Sequence, residues 1–146
     1  MKKIILLMSA MSLIVLVYAC SRGDVKQINF VKNNDKTMQQ VLAEAKNKKK
    51  VLFVDVFATW CGPCKWMDEN TFKDPRIMEK FNKSFVNYKV DGDSFEGVNV
   101  GITYRIDSYP TYLFIGPDGR IIHRIEGAMP AENLIQEVDF VLKRVK

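Results

Sequence analysis

The sequence predicts an α/β fold, a mixed central sheet with helices on both faces. Three observations carry that expectation. Val51-Leu52-Phe53-Val54-Asp55-Val56-Phe57 is a nearly continuous apolar run, the pattern of a strand buried on both faces of a largely parallel sheet. Stretches of helical period alternate with strand-like stretches around it. A late hairpin turning at Gly116-Pro117-Asp118-Gly119 adds antiparallel strands, and an amphipathic helix follows it. The 146 residues suit one domain with a short extension, and 47% hydrophobic with 27% charged residues is globular composition. A chain of this size builds its own core, so three cysteines are not a disulfide scaffold. The net charge of +5 comes from Lys and Arg scattered along the sequence among 17 acids, which gives no expectation of a nucleic-acid partner.

The elements follow in order. Lys2 and Lys3 precede an apolar stretch over 4–19, short for a bilayer span, which needs about 20 residues. The segment Leu16-Val17-Tyr18-Ala19-Cys20 resembles the lipobox of bacterial lipoproteins, with Val17 in place of the usual leucine and Tyr18 in place of a small residue. The resemblance implies that residues 1–19 are a signal peptide and that Cys20 is lipidated as the new N-terminus. The protein is then exported to the periplasmic side and lipid-anchored to the inner or outer membrane. An uncleaved anchor helix and a plain secretory signal are the alternatives. Residues 20–34 read as a tether and N-terminal extension, and 35–146 as the domain.

Residues 28–31 read as a short strand, and Asn33, Asn34 and Asp35 as a turn. Over 37–47, Met38, Val41, Leu42 and Ala45 fall at helical spacing. Lys46-Asn47-Lys48-Lys49-Lys50 reads as a solvated helix end, where the dipole favours cations. After the buried strand comes Trp60-Cys61-Gly62-Pro63-Cys64, then a helix over 65–70 and another over 75–81, with Pro75 at its start. Residues 85–90 alternate like a strand, and Asp91-Gly92-Asp93-Ser94 turns the chain. Residues 95–105 stay ambiguous, because Gly97 and Gly101 weaken a helix. The hairpin strands fall at 111–115 and 120–125. The last helix, 131–145, carries Leu134, Val138, Val141 and Leu142 on one face.

The chemistry lies in Cys61 and Cys64, two residues apart at a strand-to-helix junction. A cysteine at a helix N-terminus faces unpaired N–H groups and the positive end of the dipole, which favour thiolate. Lowering a thiol from about 8.5 to about 7 takes roughly 2 kcal/mol and makes about half of it thiolate at neutral pH. Sulfurs at i and i+3 share one face and can bridge. Cys61 is then the attacking nucleophile and Cys64 the resolving thiol. A structural disulfide, a zinc half-site and inert thiols are the competing readings. The first gains little from so short a loop, and the second has only Cys20 and His123 to complete it.

Phe53-Val54-Asp55-Val56-Phe57-Ala58-Thr59-Trp60-Cys61-Gly62-Pro63-Cys64-Lys65 resembles the active-site segment of thioredoxins. The continuation Glu69-Asn70-Thr71-Phe72-Lys73-Asp74-Pro75-Arg76-Ile77 resembles the periplasmic thioredoxin-like domain of DsbD-type disulfide-interchange proteins. This resemblance implies a thioredoxin-like fold over about residues 35–145. It also implies that Asp55 accepts the proton of Cys64, an expectation that the cost of an unpaired buried carboxylate supports. An Asp55 facing solvent at a strand end is the alternative. The resemblance further implies a cis bond at Tyr109-Pro110 facing the cysteines, an ordinary strand-start proline being the alternative there. Proline offers no hydrogen bond, which leaves the Tyr109 backbone available to an extended substrate. Trp60 should cover the cysteines, and Gly62 and Pro63 should set the turn and stiffen the helix start. Trp66, Lys65 and His123 read as packing or surface residues.

The expectation is therefore an exported, membrane-tethered thiol–disulfide oxidoreductase, a monomer with reductase favoured over oxidase or isomerase. It needs no metal and no cofactor beyond the redox-active pair itself. Its partners would be protein disulfides and a membrane or periplasmic electron donor. The alternative is a non-catalytic binding or metal-holding lipoprotein.

Overall fold

The computed structural model describes residues 27–145, so the signal peptide expected at 1–19 and the expected lipidation site Cys20 lie outside the described residues. One sheet holds β1 (Phe30–Lys32), β2 (Val51–Phe57), β3 (Phe85–Asp91), β4 (Thr111–Ile115) and β5 (Ile121–Glu126), in the order β1-β3-β2-β4-β5. The first three run parallel, β4 is antiparallel to β2, and β5 is antiparallel to β4. The described helices are α1 (Met38–Asn47), α2 (Gly62–Glu69), α3 (Pro75–Ser84), α4 (Phe95–Tyr104) and α5 (Ala131–Arg144), with a 3-10 turn at Thr71–Lys73. The mixed sheet with helices on both faces is the predicted architecture.

Alternation along β2 assigns the two cores. Val51 and Phe53 enter the core beneath α2, α3 and α5, while Leu52, Val54 and Val56 enter the one beneath α1 and α4. The Phe53 ring centres an aromatic cluster, with Phe81 at 4.7 Å and Phe114 at 5.1 Å between centroids. Residues 27–145 thus hold a complete sheet with both faces covered. Its two ends differ. The C-ends of β2 and β3 meet the start of α2. The opposite end gathers the C-ends of α1, α3 and α5, the hairpin turn and the chain entry at residue 27.

Three local readings differ from the sequence expectation. The folded unit starts ahead of residue 35, because Phe30–Lys32 from within the extension pairs with β3. Helix α2 begins at Gly62 rather than 65, since Pro63 fits a first turn where its missing N–H is not needed. The ambiguous segment is α4. Ser94 Oγ caps it by accepting the Gly97 N–H at 2.9 Å. A Cβ at Gly97 would lie 1.9 Å from the Asp91 carbonyl oxygen. That glycine lets the helix start approach the end of β3; it does not break the helix.

Candidate active site

β2 carries the chain to the site, and the Cys61 N–H donates to the Ala58 carbonyl at 3.1 Å, turning it into α2. Cys61 is the N-cap of α2, with extended backbone, and its Sγ accepts the Cys64 N–H at 3.1 Å. The two cysteines are joined by a disulfide across this first turn, their Cα atoms 5.3 Å apart. One of the unpaired helix-start donors therefore points at the sulfur of Cys61. Both cysteines are buried against Ala58, with Phe57 and Tyr109 packed alongside. Gly62 and Pro63 are exposed beside them, and a Cβ at Gly62 would meet nothing within 4 Å. The helix start is thus open to an approaching partner.

The Tyr109-Pro110 bond is cis. The Pro110 carbonyl accepts the Gly127 N–H at 2.8 Å, whereas among the described residues the Tyr109 backbone makes no backbone hydrogen bond. Tyr109 packs on the cysteine cluster and meets the Trp60 ring edge-on, 5.9 Å between centroids. Its seat is Gly92, where a Cβ would fall 2.1 Å from the Tyr109 hydroxyl. Trp60, expected as a cover, is 68% exposed and donates its indole N–H to Asp93 Oδ2 at 2.7 Å.

Asp55 is buried, 1% exposed, and faces the layer beneath α2, not solvent. It is not unpaired. Lys89 Nζ lies 2.7 Å from Asp55 Oδ2 and 2.6 Å from Asp68 Oδ1 on α2, one turn beyond Cys64. The same ammonium sits over the rings of Phe57, Phe30 and Phe72, the nearest at 4.7 Å. Burial pushes the Asp55 carboxyl above its ordinary 3.8, and Lys89 draws it only part of the way back. Burial alone would lower the Lys89 ammonium, but Asp55 and Asp68 hold it above its ordinary value. Tyr112 stands opposite Asp55 on β4, its buried hydroxyl without a partner among the described residues. Burial, and then the charges of Asp55 and Asp68, keep that phenol neutral.

The structure thus brings Cys61, Cys64, Trp60, Tyr109 and Pro110 to one end of the sheet, with Asp55 beneath the helix that carries Cys64. His123 is elsewhere, on β5, its Nε2 at 2.6 Å from Glu137. Trp66 and Lys65 are both exposed. Sequence reasoning passed over Lys89, Asp68, Gly92 and Asp93. One signal was available for Lys89: a lysine inside an alternating strand with apolar neighbours.

Residues 38–142 match the family model described as a thioredoxin-like domain. The chain is 32% identical over 125 residues to a chloroplastic thioredoxin Y of Oryza sativa subsp. japonica, covering 86% of this chain and 69% of that one. It is 29% identical over 102 residues to the thiol:disulfide interchange protein DsbD of Pseudomonas fluorescens, but spans 18% of that protein's length. It spans about half of the Arabidopsis thaliana thioredoxin Y1, at 53%. Among solved structures, a candidate disulphide-isomerase from Bacteroides thetaiotaomicron superposes with a TM-score of 0.69 at 38% identity, over 80% of this chain and 94% of that one.

Proposed function

This chain belongs to the thioredoxin-like family, and from that premise we propose that it is an exported, membrane-tethered thiol–disulfide oxidoreductase that reduces protein disulfides. The observation that carries the reading is the Cys61–Cys64 bridge across the first turn of α2, with Cys61 as its cap. In the reduced chain, the Cys61 thiolate attacks one sulfur of a substrate disulfide. A Cys61–substrate disulfide forms, and the other substrate sulfur leaves as a thiolate and takes a proton from water. Cys64 then gives its proton to Asp55 and attacks the Cys61 sulfur. The bridge closes, and the second substrate sulfur leaves as a thiolate and takes a proton from water. Two electrons have passed from the dithiol to the substrate, so the sulfurs alone carry the redox change. A membrane or periplasmic dithiol donor would reopen the bridge.

The unpaired Tyr109 backbone offers an extended substrate segment one strand-like contact, and exposed Trp60 offers an apolar one. The Gly62-Pro63 dipeptide supports the reducing direction. The resemblance to a candidate disulphide-isomerase keeps isomerisation as the competing one, and a reduction potential measured against glutathione separates them. The lipobox-like segment ending at Cys20 supports tethering of the domain. The test is trapping. Cys64→Ser should accumulate mixed disulfides through Cys61, and Cys61→Ser should lose insulin reduction. Full activity in Cys61→Ser would end the reading.

A further inference from the structure

The lysines and arginines that are scattered along the sequence converge at one end of the fold. The last turns of α1, α3 and α5 carry Lys46, Lys83, and Lys143 with Arg144. Lys48, Lys49 and Lys50 lead from α1 into β2 at the same end, and Arg120 stands in the hairpin turn. Of the described carboxylates nearest in sequence, Glu44 is engaged with Lys36 and Lys48, Asp118 with Arg120 and Asp139 with Lys80, while Glu79 stands one turn before Lys83. Among the described residues no carboxylate lies within salt-bridge distance of Lys46, Lys49, Lys83, Lys143 or Arg144. Helix dipoles favour cations at these positions but do not account for Lys49, which lies beyond the helix. Its φ of 52° is left-handed, and its N–H and that of Lys50 close the end of α1 on Lys46 and Ala45. Glycine is the favoured residue there, yet a lysine occupies it.

This is also the end at which the N-terminal segment enters. Gln27 and Asn29 are tied to Asn82, in the last turn of α3, by hydrogen bonds of 2.9 and 2.8 Å. The seven Cα-to-Cα steps from Cys20 to Gln27 reach at most about 24 Å. The cysteine pair lies at the other end of β2, about 20 Å away.

We infer that this basic end is a docking surface for anionic phospholipid headgroups, seating the domain on the membrane with its cysteines turned outward. Charge complementarity and the entry point of the tether give the same orientation independently. A lipid at Cys20 would hold residue 27 within about 24 Å of the bilayer, which lets this face reach the surface, where its charges meet a field that decays over about 8 Å. The orientation rests on the tethered reading of Cys20; the affinity for anionic lipid does not.

The test uses the chain from residue 20 with Cys20→Ser, which keeps the whole described fold and takes no lipid. It is sedimented with vesicles of phosphatidylcholine alone or mixed with phosphatidylglycerol. Binding is expected to the phosphatidylglycerol vesicles only, and to disappear at high salt. Lys46→Glu/Lys49→Glu/Lys143→Glu should weaken it by about a hundredfold, with insulin reduction unchanged, whereas Lys65→Glu/Lys73→Glu should leave binding intact. Lys49→Gly removes one charge and the left-handed strain together, so vesicle binding should fall while the thermal midpoint holds or rises. No binding to phosphatidylglycerol, equal binding to both vesicles, or binding insensitive to the triple variant would overturn the inference. So would tighter binding to duplex DNA than to the anionic vesicles. Insulin reduction by the same unlipidated chain, and the mass of the Cys20 peptide from membranes, report separately on the oxidoreductase and tether readings.

Discussion

At Asp55 two demands meet, because the carboxylate proposed to receive a proton stands beneath a helix where burial penalises its charge. The folded chain holds the Asp55 proton more tightly than the unfolded chain, since its pKa is raised above 3.8. Its contribution to stability is therefore complete below 3.8 and is lost as pH rises through the raised folded value. The thermal midpoint of Asp55→Asn relative to the natural chain should climb as pH rises above about 4, and a constant difference would contradict the assignment. The proposed catalysis runs the other way. In that mechanism only ionised Asp55 can accept the Cys64 proton, so resolution of the mixed disulfide should have an acid limb, and Asp55→Asn should remove it and slow the step about a hundredfold. Lys89→Met strips the carboxylate of its partner. It should cost about 3 kcal/mol in denaturant unfolding and move the acid limb to higher pH. Tyr112→Phe removes a buried hydroxyl without a partner and should stabilise the fold by about 1 kcal/mol. A loss of stability there would mean that the hydroxyl is satisfied.

Elements joined by short stretches of sequence were legible; those brought together from afar were not. The run over β2, the cysteine spacing and the amphipathic face of α5 each declare themselves within a dozen residues. The Lys89 bridge needs β2, α2 and β3 at once, with sequence separations of 34 and 21, and no local pattern announces it. The burial of Asp55 could be expected from its apolar neighbours; its partner could not. Glycines misled for a related reason. Gly97 weakens an isolated helix, but in the fold it gives the start of α4 its close approach to β3. Gly92 read as turn filler, yet it makes room for the Tyr109 ring. Gly92→Ala should therefore displace Tyr109. The expected result is a raised KM for protein disulfides with the Cys61–Cys64 bridge still able to form, at a cost of about 1–3 kcal/mol in stability. An unchanged KM would show that Tyr109 does not shape the substrate site.

For the whole molecule, the sheet acts as a spacer with chemistry at the C-ends of β2 and β3 and cations at the opposite end. The composition did not reveal this polarity, because the basic residues come from three helix ends and a hairpin that only the topology unites. All of the proposed chemistry depends on Cys61 being the nucleophile because a helix begins at its sulfur. The most direct measurement is alkylation of the fully reduced chain with iodoacetamide across pH, with each labelled cysteine located by mass spectrometry. The account predicts that Cys61 takes the label first and that its reactivity develops below the value of about 8.5 usual for a free thiol. Labelling of Cys64 ahead of Cys61, or equal labelling of both with an ordinary alkaline midpoint, would contradict it.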